Sequence, residues 1–157
     1  MTARRLGYHE LSNRDVFLMD IDSLARPLPG LTFPSRYFSC LCVMDARSLS
    51  ADDVGDFSKH LLRAGCAYFC AWGPDCGRVH DIMDETIVGD DLPRSSFADI
   101  MTTWHEESLT DALEFFFLWT EPYEVHISEC RSALVITVGS PVWTQEITDY
   151  ISSRIQS

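Results

Sequence analysis

Residues 66–83 read CAYFCAWGPDCGRVHDIM, and the fold turns on how this stretch is divided. Cys66–Trp72 is an unbroken apolar run, the pattern of a strand covered on both faces. Gly73-Pro74 interrupts it. Behind the break, Val79, Ile82 and Met83 recur at helical spacing, so a helix is expected with Pro74 at its first position, where a missing N–H costs nothing. Strand, turn and helix follow in that order.

The same alternation extends both ways along the chain. Upstream, a strand is expected over 16–19, then the surface connection RPLPGLTFP, whose prolines exclude a helix. YFSCLCVM (37–44) reads as a second doubly covered strand. Ser50 and Asp53 form an S-x-x-D capping signal, and Val54, Phe57, Leu61 and Leu62 keep helical spacing until Gly65 stops them. Downstream of Asp84 the chain is acidic and rich in turn formers, with a short strand expected at Ile87-Val88 and a loop at GDDLPRSS (89–96). IMTTW (100–104) reads as the next strand. Ser108 and Asp111 repeat the capping signal ahead of Leu109, Ala112, Leu113, Phe116 and Phe117, and Glu121-Pro122 ends that helix. ALVITV (133–138) is a last buried strand, and a helix from about Val142 buries Trp143, Ile147, Tyr150 and Ile151.

Strands that are apolar throughout and alternate with helices predict one α/β domain over 1–157: a three-layer sandwich with a mostly parallel central sheet, Rossmann-like or flavodoxin-like. Residues 1–35 supply an N-terminal strand and loop, and 36–157 the α/β body. At 157 residues and 46% hydrophobic content, the chain encloses a core without crosslinks. Its six cysteines mostly fall in strand-like runs, where a thiol acts as a small hydrophobe, so they are expected buried and reduced.

Charge narrows the partners. Twelve basic against 24 acidic residues give a formal charge of -12, which repels a phosphate backbone and an anionic bilayer. No nucleic acid and no membrane is expected as a partner. No apolar run reaches the roughly 18–20 residues of a membrane span, and MTARRLGYHELSNRD carries no secretory signal, so the reading is cytoplasmic. G-x-G-x-x-G, P-loop, G-x-S-x-G and H-E-x-x-H motifs are missing, and with them the usual nucleotide, hydrolase and metalloprotease machinery.

In parallel sheets ligands bind beyond the carboxyl ends of the strands. The residues there are Asp45, then Gly73-Pro74-Asp75-Cys76, then His105-Glu106-Glu107, then Gly139-Ser140. Cys76 falls in a first helical turn, where the macrodipole lowers a thiol pKa and prepares a nucleophile. His105, beyond a strand end and beside carboxylates, has the makings of a general base, with Glu106 or Asp75 to orient it. Trp72 and Trp104 end neighbouring strands and are expected to wall a ligand site, with Asp45, Asp75 and Ser140 as further contacts. Each has a bland counterpart: a structural thiol, a loop histidine among helix-capping acids, core tryptophans, and polar loops kept for solubility. His80 lies one turn beyond Cys76 on the same face. Cys70, Cys76 and His80 lack the paired spacing of closed zinc sites, so no metal and no cofactor is expected. Phe115-Phe116-Phe117 exceeds what one helical face buries, which leaves part of it for a partner.

The pairing of A-W-G-x-D-C (Ala71 to Cys76) with M-T-T-W-H-E (Met101 to Glu106), preceded by Gly65-Cys66-Ala67-Tyr68 and followed by an aromatic helix, resembles a family of small uncharacterised bacterial proteins classed only as a domain of unknown function. The resemblance spans 37–138, with His80 and the long helix after Val142 departing from it. It implies the α/β body and adds weight to Trp72, Cys76, Trp104 and His105, but brings no reaction with it. The expectation from all of this is a non-enzymatic protein-interaction module, a bacterial accessory or immunity-type protein that meets a protein partner or a second copy of itself through its acidic face or aromatic helix. The alternative is an enzyme or small-molecule sensor using Cys76 and His105 in a strand-end cleft.

Overall fold

A computed structural model describes residues 3–26, 28–89 and 99–156. The chain opens with a hairpin of β1 (Arg4–His9) and β2 (Arg14–Ile21), then crosses to β3 (Tyr37–Val43). α1 (Ala51–Ala64) leads to β4 (Cys66–Trp72), α2 (Cys76–Val88) to β5 (Met101–His105), and α3 (Leu109–Trp119) with the short α4 (Glu124–Ile127) to β6 (Cys130–Val138). α5 (Pro141–Ser152) follows, and the tail returns to β1 through a Tyr8–Gln156 bridge.

Among the described residues, six strands join one sheet in the order β1-β2-β6-β3-β4-β5. Every neighbouring pair from β2 to β5 is parallel, and only β1 runs antiparallel at its edge. The architecture is therefore α/β with a mostly parallel sheet flanked by helices. β6 inserts between β2 and β3, which is neither the 3-2-1-4-5-6 nor the 2-1-3-4-5 order of the doubly wound folds. The two faces have separate cores. Leu134 and Ile136 of β6 join one with α1, α2 and the 24–33 connection, whereas Ala133 and Val135 join the other with α3 and α5. That alternation of side-chain direction is why the middle of β6, Ala133 to Ile136, is apolar at every position.

Both capping signals act as read: Ser50 Oγ accepts from the Asp53 amide at 3.0 Å, and Ser108 Oγ from the Asp111 amide at 3.1 Å. α1 ends where Gly65 takes a left-handed conformation, φ 107°, and returns its N–H to Leu61 and Leu62. Two expectations are corrected. Pro74 precedes the helix instead of opening it; Asp75 is the N-cap and Cys76 the first helical residue. Ile87-Val88 is the last turn of α2, not a strand, because Ile87 continues the buried Val79–Met83 stripe onto the same core. β1 was not anticipated, since RRLGYH has too few apolar residues to declare a strand. The expected GDDLPRSS loop falls almost wholly on 90–98, outside the described residues. All six cysteines are buried and free, and no helix among the described residues is long and apolar enough to cross a membrane.

Candidate functional site

β4 and β5 lie side by side, with Trp72 paired to His105 at their carboxyl ends. From there the chain leaves β4 toward α2 on one face and β5 toward α3 on the other. Diverging connections open a crevice between adjacent strand ends, the place where parallel sheets bind ligands. A cavity of about 540 Å³ fills it, its wall including Trp72, Asp75, Cys76, His105, Glu106, Glu107 and Trp143. The 71–76 and 101–107 corners thus share one rim.

The first corner is held by backbone. Gly73 adopts φ 118°, and a Cβ there would lie 2.0 Å from the Met44 carbonyl oxygen. Only glycine permits so close an approach. Met44 N–H donates to Trp72 O at 3.1 Å and Ala46 N–H to Pro74 O at 2.9 Å, tying this corner to the loop after β3. Asp75 accepts from Arg78 Nε at 2.8 Å, and Arg78 Nη2 donates to the carbonyls of Ala46 and Leu49. Asp75 therefore orients Arg78, not His105.

Cys76 is 4% exposed and its thiol donates to the main-chain oxygen of His105, 3.4 Å away. The macrodipole argument predicts a lowered thiol pKa; burial overrides it and pushes the thiol up, partly offset by that hydrogen bond. The His105 ring is 7% exposed. Its Nδ1 meets Glu107 Oε1 at 2.8 Å, its Nε2 meets Thr103 Oγ1 at 2.8 Å, and its face packs on Phe115. Burial lowers the imidazole pKa, and the opposing pull of Glu107 does not restore it. Nδ1–H donates to the carboxylate, and Nε2 shares the Thr103 hydroxyl with Cys70 Sγ, which lies 3.2 Å from that oxygen. The orienting acid is Glu107, one residue beyond the expected Glu106.

The remaining expected site residues separate. By register Trp104 pairs with Ala71, not Trp72, so it faces α2, packs at a tilt against the His80 ring with centroids 4.6 Å apart, and stays half exposed. The aromatic partner of Trp72 is instead Trp143 from α5, edge-on at 5.2 Å, while the Trp72 indole N–H donates to Glu107 O at 2.8 Å. Asp45 and Ser140 lie two residues beyond the ends of β3 and β6, outside this cavity. Asp45 is chelated by Arg47, whose hydrogen bonds hold the carboxyl below its ordinary pKa. Ser140 caps α5 by accepting from the Trp143 amide at 3.2 Å. His80 turns to Thr102, Asp81 and Asp84 and not to Cys76, and Cys70 lies in the opposite core from Cys76. Among the described residues, no group of three or more His, Cys, Asp or Glu is placed to hold a metal ion.

A second feature lies at the other end of α3. Phe116 and Phe117 are buried and Phe115 covers His105, yet the chain then exposes Leu118, Trp119, Tyr123 and Val125 within one corner. Trp119 is 69% exposed, and Leu11 of the β1–β2 turn, 83% exposed, shares a cavity wall with Leu118. Alternation with the buried Thr120, Pro122 and His126 fixes which side chains face outward.

The chain belongs to the family defined by a domain of unknown function, DUF7684, whose model matches residues 17–154. That match includes β2 and α5, and so reaches beyond the 37–138 stretch that carries the motif resemblance. No curated protein and no solved structure matches the chain.

Proposed function

We propose that this member of the family is a protein-interaction module, and that its docking surface is the α3–α4 corner. The observation that carries the reading is the exposure of four large apolar side chains, Leu118, Trp119, Tyr123 and Val125, within eight residues of chain. Large apolar side chains gathered on one surface are what partner sites expose, and aromatic residues dominate such contacts. Glu114, Glu121 and Glu124 stand exposed among them. The partner that fits is an apolar surface bordered by basic groups, while a second copy would bring like charge against like, in a chain of net charge -12.

The catalytic alternative has less support from the geometry. A nucleophile needs its thiol at a base, yet the Cys76 thiol is spent on a carbonyl and both His105 nitrogens are occupied. What the strand-end cavity does offer is a hollow with two tryptophans in its wall. This supports a secondary reading as a binding cleft, tested by quenching of tryptophan emission on titration with candidate metabolites and its loss in Trp143→Leu.

The interaction reading is tested with the Leu118→Ser/Trp119→Ser double variant. The wild-type chain, used as bait in native lysate, should retain a protein that the variant loses while remaining folded by circular dichroism. Retention that increasing salt weakens fits the basic rim. Equal retention by both baits, or a concentration-dependent dimer in sedimentation that the variant abolishes, would overturn the proposed partner.

A further inference from the structure

At the opposite rim of the sheet, where the parallel strands begin, β2 opens with Arg14, only 7% exposed. Arginine is seldom buried unless a carboxylate or a full set of acceptors meets it. Nη1 donates to Thr120 Oγ1 at 3.0 Å and Ser39 Oγ at 3.3 Å, and Nη2 to Thr120 O at 2.7 Å. All of these acceptors are neutral. Nε has no acceptor among the described residues, and no carboxylate there forms an ion pair with the guanidinium. Burial presses its pKa down, and the nearby Glu121 opposes that only in part. A buried cation without a counter-ion is costly to keep, which raises the question of what neutralises it.

Arg14 forms part of the wall of a cavity of about 540 Å³ between the β1–β2 turn, the end of α3 and the start of β6. Arg131 adds a second cation to that wall, Ser128 a hydroxyl, and Phe117, Leu118 and Ile127 an apolar side. We propose that this cavity binds a carboxylate carried on an apolar body, with Arg14 and Arg131 receiving the carboxylate and Phe117, Leu118 and Ile127 covering the rest. A planar monoanion matches the guanidinium fork. A phosphate would bring further charge beside Glu121, in a chain already at -12. The inference does not depend on the protein-partner reading, although Leu118 belongs to both surfaces. A free apolar acid and the C-terminal carboxylate of a polypeptide offer the same chemistry.

The test is calorimetric titration of the full chain with N-acetyl-leucine and with N-acetyl-leucinamide, which differ only in the carboxylate. N-acetyl-leucine should bind saturably and raise Tm, and the amide should bind at least about tenfold more weakly. Arg14→Met, which keeps an unbranched side chain and drops the charge, should remove the binding. Should that variant fail to fold, the wall variants Arg131→Ala and Leu118→Glu should each weaken it. Equal response to acid and amide, or undiminished binding in the folded variants, would overturn the site. A hexapeptide ending in leucine with a free carboxyl separates the sources: tighter binding than N-acetyl-leucine assigns the site to a polypeptide terminus, and binding no tighter assigns it to a small acid. If neither the acid nor the peptide binds, the proposal fails, whatever the partner experiment shows.

Discussion

Cys76 and His105 meet through a thiol and a main-chain carbonyl, 3.4 Å apart, while the imidazole turns away to Glu107. Proximity in a cleft therefore does not make a dyad here. The thiol keeps its proton because burial disfavours the thiolate more than a helix N-terminus favours it. Alkylation by iodoacetamide should be slow at pH 7 and should titrate with a midpoint above the ordinary thiol value of 9.0. A midpoint below that value would restore the nucleophile reading.

Gly73 sets the corner that carries Cys76. Gly73→Ala would place a methyl group 2.0 Å from the Met44 carbonyl, in a backbone conformation that alanine avoids. Since backbone and not a flexible side chain stands in the way, the loss in urea unfolding should be at least about 2 kcal/mol. A loss below about 0.5 kcal/mol would mean that the corner relaxes freely and does not position the site.

What was legible in the sequence follows from how local each cause is. β4, both serine caps and the Gly65 stop rest on neighbouring residues, and they stand where their patterns place them. β1 escaped because an edge strand buries little and RRLGYH shows no apolar run. The insertion of β6 between β2 and β3 could not be read, since connection length does not tell a strand which gap to enter. Trp72 and Trp104 both end strands, but their faces depend on register, and register pairs Trp72 with His105. Burial of Cys76 and of Arg14 is a tertiary effect, invisible to helix-start and charge arguments. One signal was present for Arg14: a cation standing two residues ahead of the apolar run Val16 to Met19 in RDVFLMDI.

The caps make a separable prediction. Ser50→Ala and Ser108→Ala each leave an amide at a helix start without its acceptor, and each should cost about 1 kcal/mol. The two serines cap helices on opposite faces of the sheet, so the double variant should lose the sum. Marked non-additivity in chemical denaturation would show that the two layers do not respond independently.

His105 gives stability a definite pH dependence. Its folded pKa lies below the ordinary histidine value of 6.5, chiefly because burial disfavours the imidazolium. In the interval between the two values the unfolded chain binds more protons than the folded one, so stability rises with pH there. The contribution is complete above about pH 6.5 and is lost as pH falls through the folded value. His9 adds to the same slope, its pKa lowered first by burial and then by the charges of Arg14 and Arg154. Tm should therefore hold steady from pH 8 to about 7 and decline as the solution is acidified below about 6.5. His105→Gln keeps an amide near Glu107 but cannot titrate, and should flatten part of that decline, leaving the share that belongs to His9. If the variant declined as steeply as the wild type, burial of the His105 ring would not be what sets this slope.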